Sequence, residues 1–328
     1  MYYLGIDVAK AKLDCLLFDP VCEKRKSKSV ANSPDGIASL LKTLRSWGFE
    51  VTGLHVVMEP SSVYHELAAY ALHDAGCIVC LVNPANVRNY AKSIGIRTKT
   101  DAVDAAVLAR YGATQKLRAW QPPPPEARAL RALLTRRDAI AEDLQRERNR
   151  GEKSDIAEVP EPVLKSIEQG VEFLEKQLRS LQKEIDQHID NNPDLKDKQK
   201  LLLSIPGVGE RVAQNMTALL SVNDFQNAEA MAAYLGLVPV EKQSGTSIKA
   251  RPHMSKAGPA ALRQLLYMPA IVATKYNPHI RAMYKKLLGK GKSKMSAIGA
   301  AMRKLAHLCF GVLHSGQPYD PNFKSKSA

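Results

Sequence analysis

The sequence predicts an α/β domain, a mixed sheet carrying helices, joined to a mainly helical second half. Three observations carry this. Strand-like runs at 2–9, 13–19 and 26–32 are followed by alternating helix and strand patterns as far as residue 114. A proline-rich break, QPPPPEARAL, then leads at Pro125 into a long helix rich in Arg and Glu, and a heptad repeat follows. From about Lys198 the pattern is largely helical. Three consecutive strands and then alternation is the order expected of a mixed sheet flanked by helices.

The elements follow from local chemistry. YYLGIDVA and LDCLLFD are apolar runs separated by a short turn. In SPDGIASLLKTLRSW, Ser33 is an N-cap, Pro34 fits the first helical position, and apolar residues recur at helical spacing. VTGLHVVMEP reads as a strand, VYHELAAYALHDAG as a helix ending at Gly76, and CIVCLVNP as another strand. Cys77 and Cys80 are three apart on that strand, so they point to opposite faces, which suits core packing rather than a zinc or redox pair. The segment 101–114 is another helix. Residues 151–162 read as a linker. Leu164, Val171, Leu178 and Ile185 then share one heptad position, with Ile167, Leu174, Leu181 and His188 at the other. This seam fits either a hairpin packed on 126–150 or a coiled coil between subunits. The motif DNNPD closes the region.

Composition bounds the function. The chain has 328 residues, 45% hydrophobic and 24% charged, which is ordinary for a soluble globular protein. No apolar run reaches membrane-spanning length, and the N-terminus lacks a signal-peptide pattern, so a cytoplasmic protein with no membrane partner is expected. Five scattered cysteines argue against a disulfide framework. The net charge is +14, and residues 249–328 hold 15 Lys and Arg against one acid, Asp320. The first 248 residues therefore balance to zero. Such segregation points to a polyanion, most simply nucleic acid.

Four acids stand at informative places. Asp7 closes the first strand, Glu59 ends the strand LHVVM, and Asp101 and Asp104 lie in TKTDAVDA. The spacing of three puts Asp101 and Asp104 on one helix face, where like charges repel. Two readings fit: an acidic first turn capped by Thr100, or a divalent-cation site in which the metal removes the repulsion. Arg97 and Lys99 flank the pair as a basic approach for phosphates. Strand-one Asp, fourth-strand Glu and a helix with D-x-x-D resemble the RNase H-like fold, particularly its RuvC-like branch. Acids converging from separate elements can hold Mg²⁺ or Mn²⁺ at a phosphodiester.

Two further signals lie in the second half. LLSIPGVGERVAQNMTALL resembles a helix-hairpin-helix motif, in which Gly207 and Gly209 let backbone N–H groups approach phosphate. EKQSGTSIKARPHMSKAGPAALRQLLYMPA carries Ser244 in a loop among Lys249, Arg251, His253 and Lys256, with Ser255 as a candidate cap of the next helix and Arg263 further along. A serine amid cations could attack phosphate, although a serine in a loop is more often an ordinary structural residue.

Together YLGIDVAKAKLD, the Glu59 strand, LVNPANVRNYAKSIGIRTKTDAVDAAVLA, LLLSIPGVG, YLGLVP and the serine segment resemble the DEDD transposases of the IS110 group, relatives of the Piv and MooV DNA invertases. The resemblance implies an α/β RuvC-like DEDD domain with its trailing helix at 1–150, a linker and coiled coil at 151–195, and a mainly helical, basic transposase domain at 196–328. It implies that Asp7, Glu59, Asp101 and Asp104 bind metal and that Ser244 attacks DNA to form a phosphoserine. It implies double-stranded donor and target DNA, a structured non-coding guide RNA, termed a bridge RNA, and a homo-oligomer, dimer or tetramer. Arg97, Lys99, Gly207, Gly209, Lys249, Arg251, Lys256 and Arg263 are the candidate nucleic-acid contacts. One departure stands out: the family usually follows its second acid with Ala-Thr-Gly-x-Tyr or a similar run, whereas here the residues are Pro60-Ser61-Ser62-Val63-Tyr64. Two other readings are a RuvC-like nuclease acting on branched DNA through water, and a non-catalytic DNA-binding scaffold.

Overall fold

The structure is a computed structural model, and it describes residues 1–98, 100–154, 159–241, 243–244, 248–249 and 252–323. The chain divides into two compact units, Met1–Pro122 and Pro123–Ala328.

The first unit is built on a five-stranded mixed sheet of order β3-β2-β1-β4-β5. Its strands are β1 (Tyr3–Val8), β2 (Lys12–Phe18), β3 (Arg25–Ala31), β4 (His55–Met58) and β5 (Ile78–Leu81). The first three run antiparallel, and β4 and β5 lie parallel to β1 on its other side. Helices α1 (Pro34–Ser46) and α2 (Glu66–Asp74) cover one face, where Ile37, Leu40, Leu44 and Leu72 meet Leu4, Ile6, Val56 and Val79. Helices α3 (Pro84–Ser93) and α4 (Asp101–Thr114) cover the other, where Val87, Val107 and Leu108 meet Val57 and Cys80. Apart from His55 at the start of β4, the short, doubly covered strands β4 and β5 are apolar, as expected of buried parallel strands. Edge strand β3 carries Arg25, Lys26 and Lys28, which discourage pairing with another chain.

Most sequence expectations hold here. Ser33 caps α1 by accepting from the Gly36 N–H at 3.1 Å. Cys77 and Cys80 sit in the two opposite core layers, and burial pushes their thiols up to about 12 and about 11. Helix α4 has the bounds its caps foretold. Helix α3 departs from expectation, since CIVCLVNP reads as a strand as far as Asn83 and Pro84. These two are instead its N-cap, accepting from the Ala85 N–H at 2.9 Å, and its first residue.

The second unit is helical. α5 (Pro125–Ser154) and α6 (Glu161–Asp190) form a hairpin. Both helices intrude into the expected linker at 151–162. At the hairpin's base Leu130, Leu134, Ile185 and Ile189 join Leu195 and Ala218 in one cluster. α7 (Pro193–Leu203), α8 (Glu210–Val222), α9 (Ala228–Tyr234), α10 (Ala260–Tyr276), α11 (Pro278–Gly289) and α12 (Lys294–Ser315) share a second core around Leu202, Met216, Leu266 and Leu305. Two strand pairs lie between α9 and α10: β6 (Pro239–Val240) with β9 (His253–Met254), and β7 (Gln243–Ser244) with β8 (Ile248–Lys249). Ser255 does not cap α10. Its hydroxyl accepts from the Ala257 N–H at 3.3 Å, and the chain turns through Lys256 and Gly258, both at positive φ, before the helix starts after Pro259. No helix among the described residues is long and apolar enough to cross a membrane.

Candidate active site

The acids of the first unit are brought to one end of the sheet by strand parity. In β1, Tyr3, Gly5 and Asp7 alternate onto the face covered by α4. Asp14 is the direct antiparallel partner of Asp7, so it shares that face. Met58 pairs with Ile6 across the parallel β1–β4 ladder, so Glu59 follows β4 at the level where Asp7 follows Ile6. Glu59 also lies two residues beyond Val57, whose side chain packs under α4.

Helix α4 is seated unusually close, and Gly5 is the reason. A Cβ at Gly5 would lie 2.0 Å from the Ala105 carbonyl oxygen and 2.5 Å from the Ala109 nitrogen. Only a bare Cα lets the helix backbone rest on the strand. Ala105, Leu108 and Gly112 form the buried stripe of α4, and Asp101 extends the same stripe by one turn toward its N-terminus. Thr100 caps that end by accepting from the Val103 N–H at 3.3 Å. The capped acidic turn and the convergent acids are therefore both true of this helix.

Carboxylate oxygens of Asp7, Asp14 and Asp101 lie within 4.8 Å of one another, forming the potential metal-ligand group among the described residues. Glu59 and Asp104, both half-buried, stand outside that group. Asp14 is absent from the sequence-based candidates, although its signal is countable: a tight turn between 8 and 13 makes 7 and 14 partners. Lys12 donates to Asp14 at 2.9 Å and to Asp101 at 2.7 Å. Its bond to Asp101, and next that to Asp14, raise its pKa well above the ordinary lysine value, so it is charged at any working pH.

The segment after Glu59, where the residues depart from the family pattern, has an unusual backbone. Ser62 has φ +49, and it stands where the family carries glycine. Ser62 thus adopts the left-handed backbone that glycine accepts most readily. Asn32 donates to the Tyr64 carbonyl at 2.9 Å and to the Ala9 carbonyl at 3.0 Å, which ties this loop to the end of β1.

In the second unit, the IPGVG turn joins α7 to α8. Gly207 has φ +101, and a Cβ there would lie 2.8 Å from the Ala273 Cβ. Its bare side thus faces α10. Gly209 caps α8 with nothing within 4 Å of its missing Cβ, so it opens to solvent beside the first-turn N–H groups, which have no intrahelical acceptor. The turn is held from behind. Asn277, fully buried, donates to the Pro206 carbonyl at 3.4 Å. The Tyr319 hydroxyl donates to the Asn277 side-chain oxygen at 3.0 Å, and the Tyr319 N–H donates to the Ser204 hydroxyl at 2.8 Å.

Ser244 ends β7 and pairs with Ile248 of β8. Lys249 lies in β8, opposite Gln243. The side chains of Ser244 and Lys249, and Lys99 and Arg251 altogether, lie outside the described residues. Lys256 and Arg97 are exposed. Arg263 has a bracing duty: its Nη1 donates to the carbonyls of Leu235, Ala257 and Gly258 at 3.2, 3.1 and 2.9 Å. That brace joins the end of α9 to the turn before α10.

Known proteins resemble this chain in sequence. A transposase family model of the DEDD IS110 type matches residues 4–153, and one for the IS116/IS110/IS902 transposase family matches residues 199–285. The chain is 32% identical over 324 residues to a pilin gene-inverting protein of Moraxella bovis, covering 97% of each chain. It is 32% identical over 322 residues to the protein of the same name from Moraxella lacunata, again covering 97% of each. It is 29% identical over 161 residues to the insertion element IS110 uncharacterized 43.6 kDa protein of Streptomyces coelicolor, covering 48% of this chain and 38% of that one. With two matching family models and near full-length similarity to the gene-inverting proteins, the chain belongs to the IS110 family and is a DNA transposase or recombinase.

Proposed function

We propose that this chain is an insertion-sequence transposase and site-specific recombinase that cuts and rejoins double-stranded DNA through a phosphoserine at Ser244, with the help of acids that bind Mg²⁺ or Mn²⁺ and with a structured bridge RNA selecting donor and target. The observation that carries the reading is the cluster of Asp7, Asp14 and Asp101 at the end of the five-stranded mixed sheet. The donor set fits the ion, since it is all oxygen, anionic and partly open to solvent. The Lys12 ammonium, bridging two of these carboxylates, marks the spot as one that attracts a cation. Asp7, Glu59, Asp101 and Asp104 are the ligands that the family pattern gives, and Asp14 joins them on geometry. When bound, the ion would withdraw charge from the scissile phosphate and lower the pKa of an attacking hydroxyl.

The chain's own residues would act as follows. The Ser244 oxygen bonds to phosphorus and a deoxyribose oxygen leaves with a proton. In the reverse step a deoxyribose hydroxyl of the incoming strand attacks, and serine is released. Each P–O bond broken is thus replaced by one formed. Gly207, Gly209, Arg97, Lys99, Lys249, Arg251, Lys256 and the outer face of Arg263 would hold phosphates without reading bases. The domain roles are 1–150 for the acids, 151–195 for subunit pairing and 196–328 for the basic transposase region. Subunit pairing through a coiled coil is supported by α6, where Leu164, Ile167, Val171 and Leu174 stay partly exposed despite the hairpin, and Phe173 is exposed. The Moraxella relatives' name describes inversion of a gene. By that likeness, inversion and insertion are the reactions to assay.

The test is a nicked suicide substrate with Mg²⁺, followed by peptide mass spectrometry. A DNA adduct on Ser244 is expected, absent in Ser244→Ala with DNA binding kept. Efficient cutting with no adduct would instead assign a water-activated RuvC-like nuclease. RNA that copurifies and pairs with both DNA partners tests the guide.

A further inference from the structure

The carboxylate cluster already holds a cation, and the chain supplies it. Lys12 starts β2, two residues before Asp14. Its Nζ lies 2.9 Å from Asp14 Oδ2 and 2.7 Å from Asp101 Oδ2. These are two of the three residues whose oxygens gather within 4.8 Å, with Asp7 as the third. Asp14 and Asp101 belong to different elements, so the ammonium also ties the first turn of α4 to the sheet. An ammonium is a compact point charge with three donors on a flexible four-carbon stem. A divalent ion with oxygen ligands needs the same lone pairs. The two cannot use them together. The Lys12 side chain is 48% exposed, so it has open water into which to withdraw.

Resting on the metal reading above, we infer that Lys12 is a tethered placeholder, whose ammonium fills the cation position of the Asp7–Asp14–Asp101 cluster until a divalent ion displaces it. Without metal, Lys12 offsets repulsion among the three acids and keeps α4 on its seat. With metal, its ion pairs are broken, and that cost weakens the apparent affinity for the ion. The device keeps the acids assembled before loading, and it sets a threshold for loading.

The experiment uses the intact protein without DNA, titrated with Mn²⁺ in a calorimeter, beside melting curves with and without Mn²⁺. Lys12→Gln should bind Mn²⁺ about threefold to tenfold more tightly than the wild type, the size expected for losing two partly exposed competing pairs. It should melt lower than the wild type without metal, and the gap should close at saturating Mn²⁺. Lys12→Arg, which keeps the charge, should stay within about twofold of the wild type. Lys10→Gln is the control, removing an equal charge two residues away. Equal or weaker Mn²⁺ binding by Lys12→Gln, against a wild type that does bind, overturns the inference alone. So does an equal gain in Lys10→Gln, because general charge would then suffice. A wild type that takes up no Mn²⁺, or an Asp7→Asn variant that binds it as well as the wild type, overturns the metal reading and this inference with it.

Discussion

The acid end of the first unit and the serine segment of the second are built on different principles. The acids sit at the ends of long-range, regular elements: β1 pairs with β2 and β4, and α4 lies on β1 through a contact that tolerates no Cβ. Ser244 sits in a two-residue strand paired with another two-residue strand. The first arrangement fixes carboxylates to within the reach of one ion before substrate arrives. The second is a short strand pair in a strongly basic stretch, which would suit the proposed positioning of Ser244 by nucleic acid. Metal ligands need preorganisation because like charges will not gather unaided. The nucleophile proposed at Ser244 would need only to arrive.

The most severe way to break this contrast is at Gly5. Gly5→Val would drive side-chain atoms into the α4 backbone, already 2.0 Å from where a Cβ would stand. A loss of about 3 kcal/mol or more is expected, at or beyond the upper range for overpacked cores, measured by urea denaturation. The acids should disperse with the helix. A variant with wild-type stability would mean that α4 is not seated as described. In the second unit such contacts lie at the two ends of the serine segment, where a Cβ at Gly236 would stand 2.1 Å from the Ala257 carbonyl oxygen and one at Gly258 1.9 Å from that of Tyr234.

Next comes Asp7→Asn, which removes charge and keeps shape. Strand cleavage should fall by about 10²–10³, the scale of deleting one preorganised group that stabilises developing charge. Melting temperature without metal should hold or rise, because repulsion from Asp14 is relieved. Asp104→Asn should also abolish cleavage if the family's ligand set applies. Near-normal cleavage would instead restrict the ligands to Asp7, Asp14 and Asp101, the acids whose oxygens meet.

How much of this is legible in the sequence follows from the same contrast. The bounds of α4 are readable because Thr100 and the acids announce its start. The pairing of Asp7 with Asp14 is readable in principle, since register follows from turn length, yet an acid inside an apolar strand invites a structural reading. Gly5 is less transparent: a glycine in a strand signals close approach but not by which element. Helix α3 is hidden because Asn-Pro serves equally to end a strand and to start a helix. Ser244 cannot be chosen from chemistry alone. Serines are common in loops, and only the family resemblance singles it out.

The two glycines of the IPGVG turn sharpen the comparison inside the second unit. Gly207→Ala should destabilise by about 1–3 kcal/mol, through positive φ and the clash with Ala273. Gly209→Ala has space for its Cβ and should cost well under 1 kcal/mol at an N-cap. Its effect should fall on nucleic-acid affinity without altering sequence preference, because the proposed partner is phosphate. Replacing Lys285, Lys286 and Lys290 by Gln should flatten the log–log salt dependence by about 0.9 for each phosphate of duplex DNA that is no longer neutralised. Filter binding across a salt series measures both. An unchanged slope would move the polyanion surface elsewhere in the chain.

The smallest effect is expected at Ser62. A non-glycine residue in the left-handed region carries a cost of about 1–2 kcal/mol relative to right-handed backbone. Glycine removes that strain, but it adds freedom to the unfolded chain worth about 0.5–1 kcal/mol. Ser62→Gly should therefore stabilise by only about 0.5–1 kcal/mol, as the difference of those two effects. Ser62→Val should destabilise, because a β-branched side chain tolerates positive φ least. Both are read from paired chemical denaturation curves at constant slope. The sign of the pair is the informative part. A gain with glycine and a loss with valine would mean that the 60–64 loop keeps the family's backbone while its residues have drifted, so that Glu59 is held as its relatives hold it. Destabilisation by glycine would mean that the Ser62 side chain has taken on work the family's glycine never did, and that the second acid is supported differently here.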